Sequence, residues 1–190
     1  MLNQKIKGLY GITPNNNLDI ALIESVFKKH KLNIFQYRHK IFDEKQKLHE
    51  AQELLRICKQ YNTLFIVNDD INLCQNIKAD GLHLGQKDVD LVSARRQLGN
   101  EFIIGVSCYD SLELALEAEH NGADYIALGA VFKSSNKPNA TKCSFSKIRN
   151  IRKNIKIPIV GIGGINFKNQ EKAYEAGCDS IAMIEGLFSH

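Results

Sequence analysis

Short apolar runs alternate with longer amphipathic segments along all 190 residues of the chain. The apolar runs are rich in Ile, Val, Leu and Phe and lack strict alternation, which is typical of parallel strands buried on both faces. The segments between them repeat apolar residues at spacings of three and four, as amphipathic helices do. The pattern predicts eight strands, at Leu9–Thr13, Ile34–Arg38, Leu64–Asn68, Gly81–Leu84, Ile103–Ser107, Tyr125–Leu128, Ile159–Ile162 and Ser180–Met183.

Similar joints recur where a predicted helix meets the next strand. Residues 121–125 (NGADY) and 176–180 (AGCDS) nearly match, and residues 78–81 (KADG) form a looser third copy. Repeated helix–Gly–Asp–strand joints indicate a repeating βα unit. Eight such units predict one α/β domain, residues 1–190, folded as a (β/α)8 TIM barrel; a doubly wound open sheet is the alternative.

The length implies a compact version of this barrel, since such folds typically need about 250 residues. The sequence stops at His190, soon after the eighth predicted strand. We therefore expect a truncated or missing eighth helix. Apolar surface left uncovered on that side favours association, so a homodimer is expected.

Composition and charge exclude several classes of protein. The formal net charge is only +4, and no basic tract suggests a nucleic-acid partner. No apolar run approaches the ~18 residues of a membrane span, and no signal peptide is recognisable, so a cytoplasmic protein is expected. Five widely spaced cysteines without a C-x-x-C motif argue against a disulfide framework and against structural zinc.

Polar groups follow the predicted strands, at the end where barrels of this type place their active sites. Residues 36–40 (QYRHK) continue the second strand, so Gln36, Arg38 and Lys40 should share one face. Tyr37 and His39 should then face the surrounding helices. Cations of this kind suit phosphate oxygens, and Lys137 after the sixth strand adds another.

Carboxylates follow the third and fourth strands. Asp69 and Asp88 are hard oxygen ligands that suit Mg²⁺, which commonly binds one or two carboxylates plus substrate phosphates. The alternative is that Asp69 or Asp70, and Asp88 or Asp90, are N-caps of the following helices. Together with the cations, the carboxylates indicate a site for Mg²⁺ and a diphosphate.

A second phosphate-type site is indicated after the seventh strand. Residues 161–164 (GIGG) could bind a phosphate through backbone N–H groups, together with the turn after the eighth strand. Glycines also serve tight turns, so this motif is weak by itself. His83, after the fourth strand, is interpreted as a hydrogen-bonded core histidine rather than a ligand. Two anion sites imply two small-molecule substrates.

Nearly the whole chain resembles the thiamine-phosphate synthase family. The resemblance rests on GLYGIT at 8–13, QYRHK at 36–40, VNDD at 67–70, DGLHLGQKD at 80–88, GVS at 105–107 and GIGGI at 161–165. It implies condensation of 4-amino-2-methyl-5-hydroxymethylpyrimidine diphosphate with 4-methyl-5-(2-phosphoethyl)thiazole, giving thiamine phosphate and diphosphate, with Mg²⁺ as cofactor.

The resemblance also implies roles for individual residues. The diphosphate would be bound by Arg38, Lys40 and Lys137, with Ser107 nearby, and these four would support catalysis. Gln36 and Asn68 would help hold the pyrimidine diphosphate, and Asp69 and Asp88 would hold Mg²⁺. The thiazole phosphate would lie near Ser134, Asn136, Gly164, Ile184 and Glu185.

The chain departs from the family pattern on the thiazole side. Asn136 stands where the family often has a Thr, and Glu185 where a Ser is frequent. Two alternatives therefore stay open. One is a thiazole tautomerase, which resembles this family but has a His where this chain has Ala130; the other is a non-catalytic ligand-binding paralogue.

Overall fold

The protein folds as a closed barrel of eight parallel strands, each followed by a helix. The computed structural model describes residues 6–14, 18–39, 43–133 and 141–188. The strands are β1 Gly8–Ile12, β2 Ile34–Tyr37, β3 Leu64–Asn68, β4 Gly81–Leu84, β5 Ile103–Tyr109, β6 Tyr125–Gly129, β7 Ile159–Ile162 and β8 Ser180–Met183. The helices are α1 Ile20–Lys29, α2 Glu44–Gln60, α3 Ile71–Ile77, α4 Leu91–Leu98, α5 Leu112–His120, α6 Phe145–Asn154, α7 Glu171–Glu175 and α8 Glu185–Phe188.

The predicted (β/α)8 barrel is confirmed, and the open sheet is excluded because β1 pairs with β8 as well as with β2. Four predicted strands have the observed bounds, and the others differ by one or two residues. The largest difference is β5, which runs on to Tyr109 past a register shift between Ser107 and Tyr109. The eighth helix is short, as expected, although its Leu187 is buried.

Helix starts are set by short polar side chains that satisfy free backbone N–H groups. In each of the first six helices the N-cap oxygen accepts a hydrogen bond from the first turn. These caps are Asp19, Asp43, Asp70, Asp90, Ser111 and Ser144. Parallel strands point the same way, so these caps lie near the C-terminal ends of the strands, where each chain segment turns into its helix.

The repeated Gly–Asp joints stabilise the opposite end of the barrel. The carboxylates of Asp80, Asp124 and Asp179 each accept a hydrogen bond at 2.8 or 2.9 Å from the backbone N–H near the start of the preceding strand. Arg95 also pairs with Asp124, at 2.6 Å. The sequence repeat therefore corresponds to a repeated strand-to-strand connection, which leaves the C-terminal face for function.

Two apolar layers surround the strands. The inner layer fills the barrel with residues such as Ile34, Ile66 and Val160, and the outer layer lies between strands and helices. All five cysteines are free and buried. Within the described ranges, no helix combines the length and apolar character needed to cross a membrane.

Candidate functional site

The end of β2 alternates its side chains as the sequence predicts. Gln36 is 3% exposed and points into the barrel, where its Nε2 donates to the hydroxyl of Tyr10 at 2.8 Å. Tyr37 and His39 instead face α2, and each contacts the carboxylate of Glu50 at 2.8 Å. The predicted separation of the two faces is confirmed for these residues.

Arg38 lies at the C-terminal mouth of the barrel. Its backbone N–H donates to the hydroxyl of Thr13 at 2.8 Å, which fixes this part of the chain to the end of β1. Burial lowers the pKa of His83 to about 4, with the charge of Asp88 raising the pKa and that of Arg38 lowering it further. Both charges therefore act on one interior residue from the same end of the barrel. Lys40 lies outside the described residues.

The structure decides which aspartates are helix caps. Asp70 accepts a backbone hydrogen bond from the first turn of α3, and Asp90 does the same for α4, both at 2.9 Å. Asp69 and Asp88 are therefore not needed as caps. Both are exposed, Asp69 directly after β3 and Asp88 four residues after the end of β4.

Local contacts orient these two carboxylates. Asp69 has a left-handed backbone with φ of 54°, and Asn68 Nδ2 donates to its carboxylate at 2.7 Å. Its backbone N–H donates to the carbonyl of His83 on β4 at 2.9 Å. Asp88 accepts the backbone N–H of Gly85 at 2.7 Å. A non-glycine residue held at positive φ beside a candidate site is consistent with a functional constraint.

Two carboxylates on adjacent strands fit a Mg²⁺ ion better than a transition metal. Among the described residues, no group of three or more His, Cys, Asp or Glu side chains is placed to bind a metal. Mg²⁺ commonly uses only one or two carboxylates and completes its shell with water and phosphate oxygens. The oxygen chemistry of Asp69 and Asp88 suits that role, which stays a prediction.

His83 is a hydrogen-bonded interior residue, in agreement with the sequence interpretation. Its Nδ1 lies 3.0 Å from the hydroxyl of Tyr125, and its Nε2 lies 2.9 Å from Ser107 Oγ. The Tyr125 hydroxyl is also 2.9 Å from that of Tyr10, which accepts the hydrogen bond from Gln36. Two predicted substrate-binding residues, Gln36 and Ser107, are thus the ends of one interior hydrogen-bond chain.

On the predicted thiazole side, the loops after β6, β7 and β8 come close together. A side chain on Gly164 would bring its Cβ within 2.3 Å of the carbonyl oxygen of Lys133, and Gly164 has φ of 62°. A side chain on Gly186 would approach the carbonyl of Ile165 at 2.6 Å. Glycine is required at both positions for this close backbone approach.

The remaining predicted residues divide between described and undescribed segments. Ile184 is partly buried against the inner layer, and Glu185 is exposed at the first position of α8. Ser134, Asn136 and Lys137 fall in residues 134–140, outside the described ranges. The structure therefore brings together the loops that carry Gly164 and Glu185.

Sequence reasoning missed three residues that organise this end of the barrel. Tyr10 and Tyr125 link the interior chain, and Glu50 binds the outward face of β2. Inward alternation along β1 and β6 could have suggested the two tyrosines. Their partners come from strands that are distant in sequence, so only the closed barrel reveals the connection.

Comparison with known proteins agrees with the sequence resemblance. A family model described as thiamine monophosphate synthase matches residues 9–187. A thiamine-phosphate synthase from Chromobacterium violaceum is 43% identical over 186 residues, covering 97% of this chain and 89% of that protein. One from Nitrosococcus oceani is 41% identical over 190 residues, covering 98% and 88%.

A solved structure supports the same relationship. A thiamine phosphate pyrophosphorylase from Pyrococcus furiosus superposes with a TM-score of 0.89 and is 32% identical. The match covers all of this chain and 91% of the other. A 3-hexulose-6-phosphate synthase structure matches with a TM-score of 0.66 at 13% identity, which indicates a shared fold only.

Proposed function

The chain belongs to the thiamine monophosphate synthase family, and on that premise we propose that it makes thiamine phosphate. The substrates would be 4-amino-2-methyl-5-hydroxymethylpyrimidine diphosphate and 4-methyl-5-(2-phosphoethyl)thiazole, with diphosphate as the second product. The observation that carries this proposal is the arrangement at the barrel mouth. The charges of Arg38 and Asp88 both act on His83, and the backbone N–H of Asp69 donates to the His83 carbonyl. Asp70 and Asp90 are the helix caps, which leaves the carboxylates of Asp69 and Asp88 for a metal.

The reaction breaks one bond and forms another at the pyrimidine methylene carbon. The carbon–oxygen bond to diphosphate breaks, and the leaving oxygen keeps the electron pair. The lone pair of the thiazole nitrogen then forms the new carbon–nitrogen bond. The nitrogen carries no proton, so neither a protein base nor a protein nucleophile is required.

The protein's task is to stabilise charge on the departing diphosphate. We propose that Arg38, Lys40 and Lys137 bind its oxygens, because guanidinium and ammonium groups form charge-assisted hydrogen bonds with phosphate. Ser107 would add a neutral hydroxyl at the same place. Groups placed where negative charge develops bind the transition state more strongly than the substrate, and this difference lowers the barrier.

Mg²⁺ would be held by Asp69 and Asp88, and when bound it would supply positive charge to the diphosphate oxygens. Asn68 Nδ2 donates a hydrogen bond to the carboxylate of Asp69 and so orients this proposed metal ligand. Asn68 and Gln36 would also contact the pyrimidine.

The thiazole phosphate would bind where the loops after β7 and β8 approach each other. Gly164 permits a backbone conformation that a residue with a side chain would strain. Backbone N–H groups near Gly164, Ile184 and Glu185 would receive the phosphate, with Ser134 and Asn136 near the thiazole. Glu185 brings a carboxylate into this region, and its direction decides whether the phosphate is repelled.

The direct experiment is to mix both substrates with Mg²⁺ and the purified chain and to measure thiamine phosphate. Product should accumulate at a rate that depends on Mg²⁺ and on enzyme concentration. The Arg38→Ala variant, shown to be folded by circular dichroism, is the matched control. Folded wild-type protein that gives no product above background would exclude the proposal and favour a non-catalytic paralogue.

The tautomerase alternative loses support at Ala130. The backbone N–H of Ala130 donates to the carbonyl of Thr141 at 3.2 Å, and the Ala130 carbonyl accepts from the backbone N–H of Cys143 at 2.8 Å. A methyl side chain there offers no group for proton transfer. Proton exchange on the thiazole substrate alone, without the pyrimidine diphosphate, would revive this alternative.

A homodimer and a cytoplasmic location remain predictions. Of the exposed large apolar residues, Val89, Val92 and Leu116 lie on or beside α4 and α5, Tyr109 ends β5, and Phe167 lies between β7 and α7. We place the expected association surface on α4 and α5, where three of these five residues lie. Sedimentation equilibrium that gives the monomer mass across micromolar concentrations would contradict it.

A further inference from the structure

An unbroken chain of side-chain hydrogen bonds crosses the barrel interior. It runs from Gln36 on β2 through Tyr10 on β1, Tyr125 on β6 and His83 on β4 to Ser107 on β5. The successive distances are 2.8, 2.9, 3.0 and 2.9 Å. The first four side chains are at most 8% exposed, whereas Ser107 is half-buried at the mouth.

Close packing around Tyr125 also holds this chain of hydrogen bonds in place. Gly105 on β5 lies directly against the ring of Tyr125, and a Cβ there would come within 2.0 Å of that ring. The rings of His83 and Tyr125 stack at a centroid distance of 5.6 Å. The chain is therefore held by packing as well as by hydrogen bonds, so its members have little freedom to change partners.

The number of available hydrogens gives the chain a direction. With the Gln36 amide oriented so that Nε2 donates to the oxygen of Tyr10, the single Tyr10 hydroxyl hydrogen is directed to Tyr125. The hydroxyl hydrogen of Tyr125 is then directed to Nδ1 of His83. The reverse direction would leave a buried Tyr10 hydroxyl hydrogen facing another donor, which is costly.

This direction selects one tautomer of His83. Nδ1 accepts the hydrogen of Tyr125 and so carries no proton, which makes the imidazole neutral. With Nδ1 accepting from Tyr125, the ring hydrogen must be on Nε2, which donates to Ser107 Oγ. Within the described part of the chain, Ser107 Oγ has no second hydrogen-bond partner, so its own hydrogen is directed away from the chain.

We propose that His83 is a positioning residue that, through the chain beginning at Gln36, makes Ser107 a hydrogen-bond donor to an anionic substrate group at the barrel mouth. In the opposite tautomer Nε2 would accept the Ser107 hydrogen, and Ser107 would offer only a lone pair to an anion. The anion in question is a diphosphate oxygen, so this inference rests on the proposed function. The interior of the barrel thus determines the polarity of a group at its surface.

The tautomer can be measured without any substrate or metal. Long-range ¹H–¹⁵N NMR spectra of the wild-type protein at pH 7 should show His83 protonated at Nε2 and unprotonated at Nδ1. The His83→Gln variant identifies the signals. A ring protonated at Nδ1, or a doubly protonated ring, would overturn the proposal directly.

The consequence for anion binding is tested with inorganic diphosphate and Mg²⁺ in a titration calorimeter. Ser107→Ala should weaken diphosphate binding about tenfold, the loss expected for one hydrogen bond to a charged group. Tyr125→Phe should weaken it about threefold, because His83 Nδ1 loses the donor that fixes the tautomer. Tyr61→Phe, at the far end of α2, is the matched control and should leave both the spectrum and the affinity unchanged.

The double variant separates a positioning role from a general loss of packing. If Tyr125 acts through Ser107, then adding Tyr125→Phe to Ser107→Ala should cause no further loss of diphosphate affinity. Additive losses would show that Tyr125 acts by another route and would contradict the proposal. Should Tyr125→Phe fail to fold, the wild-type tautomer still decides the question. Absence of thiamine phosphate synthesis would reject the proposed function but would leave this measurement intact.

Discussion

Glu50 on α2 accepts a hydrogen bond from Nδ1 of His39 at 2.8 Å, across the gap between helix and strand. Burial by itself raises the pKa of Glu50, but hydrogen bonds from His39, Tyr37 and Gln46 outweigh burial and lower it. The carboxylate is therefore ionised at neutral pH and holds two alternate residues of the β2 end on the outer face. Arg38, between those two residues in sequence, belongs to the other face and lies at the mouth of the barrel.

This alternation predicts different consequences for neighbouring substitutions. Arg38→Ala should lower kcat by about 100-fold, because a cation that meets developing charge is removed. His39→Ala should lower kcat by less than tenfold and cost about 1–2 kcal/mol of stability, because it leaves Glu50 with fewer partners. Steady-state kinetics and urea unfolding of both variants provide the measurement. Equal losses of kcat would contradict a role for Arg38 in stabilising the leaving diphosphate.

Adjacent aspartates after β3 should separate catalysis from stability. Asp69→Asn keeps a residue that tolerates φ of 54° but weakens Mg²⁺ binding, so activity should fall about 100-fold with little loss of stability. Asp70→Ala removes the cap of α3 and should cost about 1 kcal/mol. Its activity at saturating Mg²⁺ should be nearly normal. The Mg²⁺ concentration giving half-maximal rate should increase for Asp69→Asn alone.

His83 should make stability depend on pH between 4 and 6.5. Its pKa is about 4 in the folded chain against 6.5 ordinarily, so the unfolded chain binds the proton more strongly. The contribution of neutral His83 to the free energy of unfolding, up to about 3 kcal/mol, is complete above pH 6.5 and is lost as the pH falls toward 4. Urea unfolding at several pH values, without metal or substrate, should show a shallower pH dependence for His83→Gln. Parallel curves for the two proteins would contradict this prediction.

Gly164 should be intolerant of even one methyl group. Gly164→Ala combines φ of 62° with a 2.3 Å approach to the carbonyl of Lys133, and should cost about 1–3 kcal/mol. It should also raise the KM for the thiazole phosphate while leaving that for the pyrimidine diphosphate unchanged. Gly122→Ala is the control, because Gly122 has φ of 87° but nothing within 4 Å of the added Cβ. A similar KM for both variants would argue against a phosphate site at Gly164.

Glu185 provides the test of the altered thiazole side. If its carboxylate approaches the phosphate, Glu185→Ser should lower the KM for the thiazole phosphate by about threefold to fivefold, by removing a like charge. Glu175→Ser, on the exposed surface of α7, makes the same change in net charge away from this site. An unchanged KM in Glu185→Ser would indicate that this side chain points away and that only its backbone contacts the phosphate.

The sequence alone determined the barrel, most strand bounds and the alternation around Arg38. Buried parallel strands read as apolar runs, and the side-chain period of two assigns Gln36 and Tyr37 to opposite faces without knowledge of their neighbours. The repeated Gly–Asp joints likewise marked the strand starts. These features depend on short stretches of chain, so local pattern was sufficient for them.

Only the tertiary structure decided which polar residues are available at the mouth. Asp69 and Asp70 are the same residue type in adjacent positions, and the backbone turn that makes Asp70 the cap cannot be deduced from composition. The link between His83 and Tyr125 joins residues separated by 42 positions, on strands that face each other only after closure. Partners distant in sequence leave no local pattern, so the direction of the interior chain, and with it the polarity of Ser107, had to come from the closed barrel.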